Sequence, residues 1–185
     1  MKHVYLIRHG LPDFPGGKRM CLGHTDLPLC PEGFAQAKEM AAKLPPVSCV
    51  FSSPLRRATQ TAQAIGPSIT VQEDLKELFA GEWDGLTFDE IRLRYPELYA
   101  ARGSDRTTPL PGAETNEAGL ARFRRAMDRA VTEAEGDFAV IAHGGVIALF
   151  LQSLSGHWYK PGYAEIVPLI WDEGTFIIEE EHHHA

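Results

Sequence analysis

The chain has 185 residues, of which 44% are hydrophobic and 23% are charged, and its formal net charge is −7. This length suits one domain with a substantial core, and the negative charge argues against general affinity for nucleic acids or anionic membranes. The first apolar run is too short for a signal peptide, and no run approaches the roughly 18 residues of a membrane span. We therefore expect a cytoplasmic protein without a nucleic-acid or membrane partner.

Cysteine usage and the composition near residue 185 set two further expectations. Cys21, Cys30 and Cys49 are odd in number and lack the spacing of metal ligands, which predicts reduced thiols without a metal or redox role. The histidine-bearing residues 181–185 suit a disordered tail. We therefore predict a single domain over residues 1–180.

The predicted elements alternate between strands and helices along the chain. A long Pro/Gly-rich loop at residues 11–29 follows the first strand, and loops of this length are often functional. Apolar runs predict strands, and apolar residues at intervals of three and four predict helices. The predicted strands span residues 3–7, 48–52, 68–71, 137–142, 165–171 and 175–179, and the predicted helices span residues 31–44, 55–65, a segment beginning near 87, 120–134 and 146–154.

This alternation indicates a fold class. Residues 137–142 are almost continuously apolar, which is expected of a strand that is covered on both faces. Strands that alternate with helices predict an α/β domain, here a three-layer α/β/α sandwich with a mostly parallel central sheet. The last two strands are candidates for an antiparallel edge, because only a short Asp-Glu-Gly turn separates them.

Residues that can handle a phosphate follow three of these strands. Arg8, His9 and Gly10 end the first strand, a run containing Arg57 follows the second, and His143 ends the long apolar strand. The carboxyl ends of parallel strands meet at one edge of a sheet, where ligands bind. A guanidinium can donate two hydrogen bonds to a phosphate, and an imidazole that is neutral near pH 7 is a nucleophile. Glycine allows the backbone to approach a bulky anion.

Together with the segment around Glu77, these motifs resemble the histidine phosphatase superfamily, in its phosphoglycerate mutase-like group. The resemblance covers most of the chain, with four motifs in the expected order. It implies the same three-layer α/β fold, His9 as a nucleophile that becomes a phosphohistidine, and Glu77 as the general acid. It also implies a phosphate pocket made by Arg8, Arg57 and His143. Fixed cations of this kind stabilise a phosphoryl group in transfer without a metal ion or cofactor.

Several further residues have weaker assignments. The resemblance implies that the amide of Gly23 contacts the phosphate, and His24 is either a substrate contact or an ordinary loop histidine. The helix that begins at Gly144 has amides that can bind an anion. Glu82 and Asp84 are rival acids to Glu77, and we place both on the surface of a turn.

Departures from the family pattern favour a phosphatase over a mutase. Leu11 and Pro12 stand where many relatives have Glu and Ser or Thr, and Gly145 stands where mutases have asparagine. The chain also has little room for the insert that shields a mutase's phosphoenzyme from water. We expect hydrolysis of a small phosphorylated metabolite, with α-ribazole 5′-phosphate as one candidate because residues 77–83 resemble α-ribazole phosphatases. A phosphoglycerate mutase and a non-enzymatic phospho-ligand scaffold are the alternatives, and the sequence leaves a homodimer open.

Overall fold

A computed structural model of the protein describes residues 1–179, and the predicted tail at residues 181–185 lies outside them. The described chain forms one six-stranded sheet flanked by helices. The strands are β1 (Lys2–Arg8), β2 (Cys49–Ser52), β3 (Ile69–Val71), β4 (Phe138–Ala142), β5 (Ile166–Asp172) and β6 (Thr175–Ile178). The helices are α1 (Pro31–Lys43), α2 (Arg56–Gln63), α3 (Phe88–Arg94), α4 (Pro96–Ser104), α5 (Asn116–Glu133) and α6 (Gly144–Ser155).

The sheet has the order β3-β2-β4-β1-β5-β6, which confirms the predicted mostly parallel arrangement. Strands β1 to β4 are parallel to one another, whereas β5 pairs antiparallel with β1 and β6 pairs antiparallel with β5. The last two strands therefore form the antiparallel edge that the short connecting turn predicted.

Helices cover both faces of the sheet, so the three-layer α/β/α prediction is confirmed. Strand β4 is buried along its whole length, and its residues alternate between two apolar clusters. Phe138 and Val140 pack with α5 and α6, and Ala139 and Ile141 pack with α1 and α2. The continuous apolar run of β4 is thus explained by burial on both faces. Within residues 1–179, no helix is both long and apolar enough to cross a bilayer.

The helix predicted to begin near residue 87 is two helices. Thr87 is the N-cap of α3 and accepts a hydrogen bond from the amide of Glu90, whose side chain accepts one from the amide of Thr87. Helix α3 ends at Arg94, and Pro96 begins α4 after a non-helical Tyr95. Proline cannot continue a helix but suits its first turn, so the chain bends at this point.

The register of the parallel strands brings the three functional strand ends together. Arg8 on β1 pairs with Ala142 on β4, and the amide of His9 donates to the carbonyl of Ala142 at 3.1 Å. On the other side of β4, the amide of Ser53 donates to the carbonyl of Ile141 at 3.0 Å. The ends of β1, β2 and β4 therefore lie side by side at one edge of the sheet, as predicted.

Candidate active site

A cavity of about 690 Å³ opens at this edge of the sheet. Arg8, His9 and Glu77 line it, together with residues of the long loop after β1. Arg57 and His143 are fully buried, and the ring centres of His9 and His143 are 5.1 Å apart. The structure therefore brings together the five residues that the sequence nominated for phosphate chemistry.

The protonation pattern of His9 follows from a single contact. Its Nδ1 lies 2.7 Å from the carbonyl oxygen of Gly10. A carbonyl oxygen only accepts hydrogen bonds, so Nδ1 carries the proton and donates it. The lone pair of the neutral ring is therefore on Nε2, the nitrogen that can attack an electrophile.

The surroundings of both histidines keep them neutral. Burial, followed by the positive charges of Arg57, Arg8 and Lys160, holds the pKa of His9 well below its ordinary value of 6.5. Burial and the charge of Arg57 also hold the pKa of His143 well below that value. Because the neutral imidazole is the nucleophilic form, this environment keeps His9 reactive below neutral pH.

Backbone carbonyls hold the Arg57 guanidinium in one orientation. Its Nη1 donates to the carbonyl of Thr25 at 2.7 Å, and its Nη2 donates to the carbonyl of Gly23 at 2.9 Å. The hydroxyl of Thr61 accepts from the amide of Gly10 at 3.0 Å and donates to the carbonyl of Arg57 at 2.7 Å. Helix α2, which bears Arg57, is thereby tied to the loop that follows His9.

Among Arg8, His9, Arg57, Glu77 and His143, three buried polar atoms have no partner within residues 1–179: Arg8 Nε, Arg57 Nε and His143 Nδ1. The guanidinium Nε atoms are donors. The hydroxyl of Ser53 accepts from the amide of Leu55 at 3.3 Å and lies 2.7 Å from His143 Nε2. We assign the Ser53 proton to that contact, so that His143 Nδ1 is also a donor. Buried donors without partners are costly, and an anion with several oxygens would satisfy all three.

Glu77 occupies the amino-terminal end of α6. Its Oε1 accepts from the amides of Leu78 and Val146 at 2.9 and 2.8 Å, and its Oε2 accepts from the amide of Gly145 at 2.9 Å. A carboxyl oxygen has two lone pairs. Oε1 therefore accepts two hydrogen bonds and Oε2 accepts one. Oε2 is the oxygen of this carboxyl group with the greater remaining capacity for a hydrogen bond.

The two glycines at the start of α6 have spatial roles. A Cβ at Gly144 would lie 2.9 Å from Arg8 Nε and 2.7 Å from Lys160 Cε. A Cβ at Gly145 would lie 2.8 Å from Glu77 Oε1. The sequence suggested that the first amides of this helix bind the anion, but the amides of Gly145 and Val146 are used by Glu77. The amide of Gly144 stays a predicted contact of the anion, and the lack of a Cβ at this residue leaves space for the Arg8 side chain.

The loop residues Gly23 and His24 have internal partners. The amide of Gly23, which the resemblance assigned to the phosphate, donates to Asp84 Oδ1 at 3.2 Å, and its carbonyl accepts from Arg57. His24 Nε2 lies 2.9 Å from the carbonyl of Glu77, so it donates to that backbone atom. Asp84 was placed on a turn surface, but it is half-buried and holds this loop.

The segment after α6 contributes residues that the sequence did not nominate. The Arg8 guanidinium lies 4.0 Å from the centre of the Tyr163 ring, and its Nη1 donates to the carbonyl of Pro161 at 2.9 Å. Lys160 lines the cavity, and its pKa is lowered by partial burial and by the charge of Arg8. This segment is irregular, so no hydrophobic period marked it, and only the folded chain places it over Arg8.

Among residues 1–179, no group of three or more His, Cys, Asp or Glu side chains is arranged to hold a metal ion. The three cysteines are free thiols.

Comparisons with known proteins agree with this geometry. The family model of the histidine phosphatase superfamily (branch 1) matches residues 4–180, which confirms the resemblance seen in the motifs. Phosphoglycerate mutase-like protein 4 of Arabidopsis thaliana is 33% identical over 155 residues, covering 78% of this chain and 67% of that protein.

Two solved structures add to this comparison. A mycobacterial glucosyl-3-phosphoglycerate phosphatase in complex with VO3 superposes with a TM-score of 0.85 at 27% identity, over 97% of this chain and 98% of the other. The α-ribazole phosphatase of Shigella flexneri superposes with a TM-score of 0.80 at 22% identity, over 96% and 94% of the two chains. At that identity, the second likeness shows the fold alone.

Proposed function

This chain belongs to the histidine phosphatase superfamily, whose members are phosphatases or mutases, and we propose that it is a phosphomonoesterase. In this proposal, it hydrolyses a small phosphorylated metabolite through a phosphohistidine formed on His9, without a metal ion. The observation that carries the proposal is the set of three buried, unpartnered donors on Arg8, Arg57 and His143 beside a neutral imidazole. A phosphoryl group in transfer carries its charge on three equatorial oxygens, and three fixed donors suit that charge distribution.

The first chemical step transfers the phosphoryl group. His9 Nε2 attacks phosphorus, and the bond between phosphorus and the ester oxygen breaks. Glu77 Oε2 donates its proton to the departing oxygen, so that an alcohol leaves instead of an alkoxide. Arg8, Arg57 and His143 donate hydrogen bonds to the phosphoryl oxygens throughout this step.

The second step returns the enzyme to its starting state. A water molecule attacks the phosphohistidine, and Glu77 accepts a proton from it. The bond between phosphorus and His9 Nε2 breaks, and inorganic phosphate leaves. The hydrogen bond from His9 Nδ1 to the carbonyl of Gly10 keeps the ring oriented in both steps. The two guanidinium groups supply the positive charge that a metal ion supplies in other phosphatases.

The residues that line the cavity indicate which class of substrate it suits. Beyond the phosphate pocket, the cavity is lined by the aromatic rings of Phe88, Tyr99 and Trp158 and by the side chains of Arg19, Arg102 and Arg106. The aromatic rings suit a substrate with a planar or apolar body, which keeps α-ribazole 5′-phosphate as a candidate. The family resemblance places Leu22, which lines the same cavity, where mutases have a small hydroxyl residue, and this departure supports a phosphatase over a mutase. A phosphoglycerate mutase is the alternative.

A direct test uses an aryl phosphate in the presence of EDTA. We expect steady hydrolysis with the chelator, and rapid denaturing quench in alkali should trap phosphate on the protein at His9. Activity that requires an added divalent ion would overturn the metal-free mechanism. If the protein shows no hydrolysis and no phosphate is trapped on His9, the alternative of a non-enzymatic phospho-ligand scaffold would be favoured.

A substrate panel then separates the finer alternatives. It should contain α-ribazole 5′-phosphate, glucosyl-3-phosphoglycerate, phosphoserine and 3-phosphoglycerate. Release of inorganic phosphate supports a phosphatase, whereas conversion of 3-phosphoglycerate to its isomer without phosphate release supports a mutase. We include a cytoplasmic location in the proposal, because the three free thiols are those expected in a reducing compartment.

A further inference from the structure

We infer that Asp84 is a positioning residue for phosphate binding, because its carboxylate holds the 23–25 loop whose carbonyls orient Arg57. The inference rests on the proposed function only in assigning Arg57 to the phosphate. Asp84 follows a short 3-10 turn (Gly81–Trp83) and is half-buried. Both of its carboxylate oxygens accept hydrogen bonds from the 23–25 loop, and a carboxylate repels a phosphate, so we expect it to act through other residues.

Four hydrogen bonds from one loop converge on this carboxylate. Oδ1 accepts from the amides of Gly23 and Thr25 at 3.2 and 3.1 Å and from the hydroxyl of Thr25 at 2.6 Å. Oδ2 accepts from the amide of His24 at 2.6 Å. These bonds outweigh partial burial and lower the pKa of Asp84. Three successive amides of the loop therefore donate to one carboxylate, which restricts the conformation of the loop.

This conformation turns two carbonyls toward Arg57. The carbonyls of Gly23 and Thr25, the residues whose amides bind Asp84, accept the two Nη groups of Arg57. The guanidinium plane is set by these two contacts, and Nε is the buried nitrogen of Arg57 that has no partner in the described chain. A shift of the loop would therefore rotate the guanidinium group, and Nε would no longer point toward the proposed position of the phosphate.

The same loop also reaches the segment of the proposed acid. His24 Nε2 donates to the carbonyl of Glu77 at 2.9 Å, while the amide of His24 is held by Asp84. The loop has no room to adapt at its first residue, because a Cβ at Gly23 would lie 2.5 Å from Asp84 Oδ2 and 2.7 Å from the amide of Ala80. One carboxylate thus aligns Arg57 through the carbonyls of the 23–25 loop and supports Glu77 through His24.

Replacing Asp84 with asparagine tests this inference. In Asp84→Asn, one acceptor oxygen becomes an NH₂ group, which faces a donor amide of the loop and cannot accept from it. We expect kcat/KM for an aryl phosphate to fall roughly ten- to a hundredfold, and the Kd for inorganic phosphate to rise by a similar factor. The matched control is Asp89→Asn, which removes an exposed carboxylate on α3 and should change neither value.

A double-mutant cycle separates positioning from a general effect on folding. If Asp84 acts through Arg57, the double variant Asp84→Asn/Arg57→Lys should bind inorganic phosphate about as weakly as Arg57→Lys alone. Additive losses of phosphate affinity would overturn the inference. So would a folded Asp84→Asn protein, with an unchanged melting profile, that binds inorganic phosphate with the affinity of the unaltered chain.

A milder variant covers the case in which Asp84→Asn does not fold. Thr25→Val removes only the hydroxyl bond to Asp84 and preserves the shape of the side chain. We expect a smaller rise in the phosphate Kd, of about twofold to tenfold, and faster hydrogen exchange of the 23–25 amides. No change in either measurement would contradict the inference. Because phosphate binding and exchange do not need turnover, these results are separable from a failure of the proposed hydrolysis.

Discussion

The Nδ1 atom of His9 donates to the carbonyl oxygen of Gly10, its own neighbour in the chain, at 2.7 Å. This contact fixes the tautomer of the ring and directs Nε2 away from the backbone. Burial of the ring then keeps it unprotonated. The nucleophile of the proposed reaction is therefore prepared by one local hydrogen bond and by its place at the end of β1.

Replacing His9 with alanine should abolish turnover without unfolding the protein. We expect the rate of aryl phosphate hydrolysis to fall by roughly 10³-fold or more, because no phosphohistidine can form. The control is His157→Ala, which removes an exposed histidine after α6. A His9→Ala protein that retained the rate of the His157→Ala protein would remove His9 from its proposed role.

Replacing Glu77 with glutamine should affect substrates according to their leaving groups. An alkyl alcohol needs a proton as it leaves, whereas a nitrophenolate does not. We expect a loss of about 10²- to 10⁴-fold for alkyl phosphates and a much smaller loss for nitrophenyl phosphate. Glu82→Gln, which alters an exposed neighbouring carboxylate that accepts from Tyr95, should leave both rates unchanged. Equal losses on the two substrates would argue against Glu77 as the proton donor.

Substituting the first two glycines of α6 should separate phosphate binding by Arg8 from protonation of the leaving group by Glu77. In Gly144→Ala, the new methyl group crowds Arg8, so we expect the KM for an aryl phosphate to rise about tenfold. In Gly145→Ala it crowds Glu77, so the loss should be greater for alkyl than for aryl phosphates. Gly66→Ala, where a Cβ meets nothing within 4 Å, is the control. Identical effects of the two α6 substitutions would contradict this division of roles.

The buried histidines also predict how stability depends on pH. The pKa values of His9 and His143 are lowered in the folded chain, chiefly by burial and by Arg57, and both are ordinary when the chain unfolds. Below pH 6.5 the unfolded chain therefore binds protons that the folded chain does not. We expect the free energy of unfolding to fall as the pH falls from 6.5 to about 5, by roughly 1.4 kcal/mol per pH unit for each histidine.

Urea unfolding at a series of pH values measures this slope. The variant His143→Asn should have a smaller slope of unfolding free energy against pH, by the contribution of one histidine. This holds whether or not the substitution changes the absolute stability. A free energy of unfolding that stays constant between pH 5 and 6.5 would show that the two rings are not held neutral in the folded protein.

Much of the architecture followed from local pattern. The apolar run that became β4 predicted a strand covered on both faces, and Arg8, His9 and His143 were placed at strand ends where a parallel sheet collects its ligands. These predictions succeeded because hydrophobic period and strand polarity are properties of short segments. The bend at Pro96 was missed, although proline marks it, because α3 and α4 are short and the apolar pattern between them is weak.

The roles of other residues depended on contacts between segments distant in the chain. The sequence alone predicted which residues would carry the proposed chemistry: the imidazole of His9, the guanidinium groups of Arg8 and Arg57, and the carboxyl group of Glu77. Only the tertiary structure decided that Glu77 caps α6 and that Asp84 holds the loop beside Arg57. The type of each side chain is known from the sequence. Its hydrogen-bond partners lie in segments that are tens of residues away, and the hydrophobic pattern of a short segment does not predict such pairings.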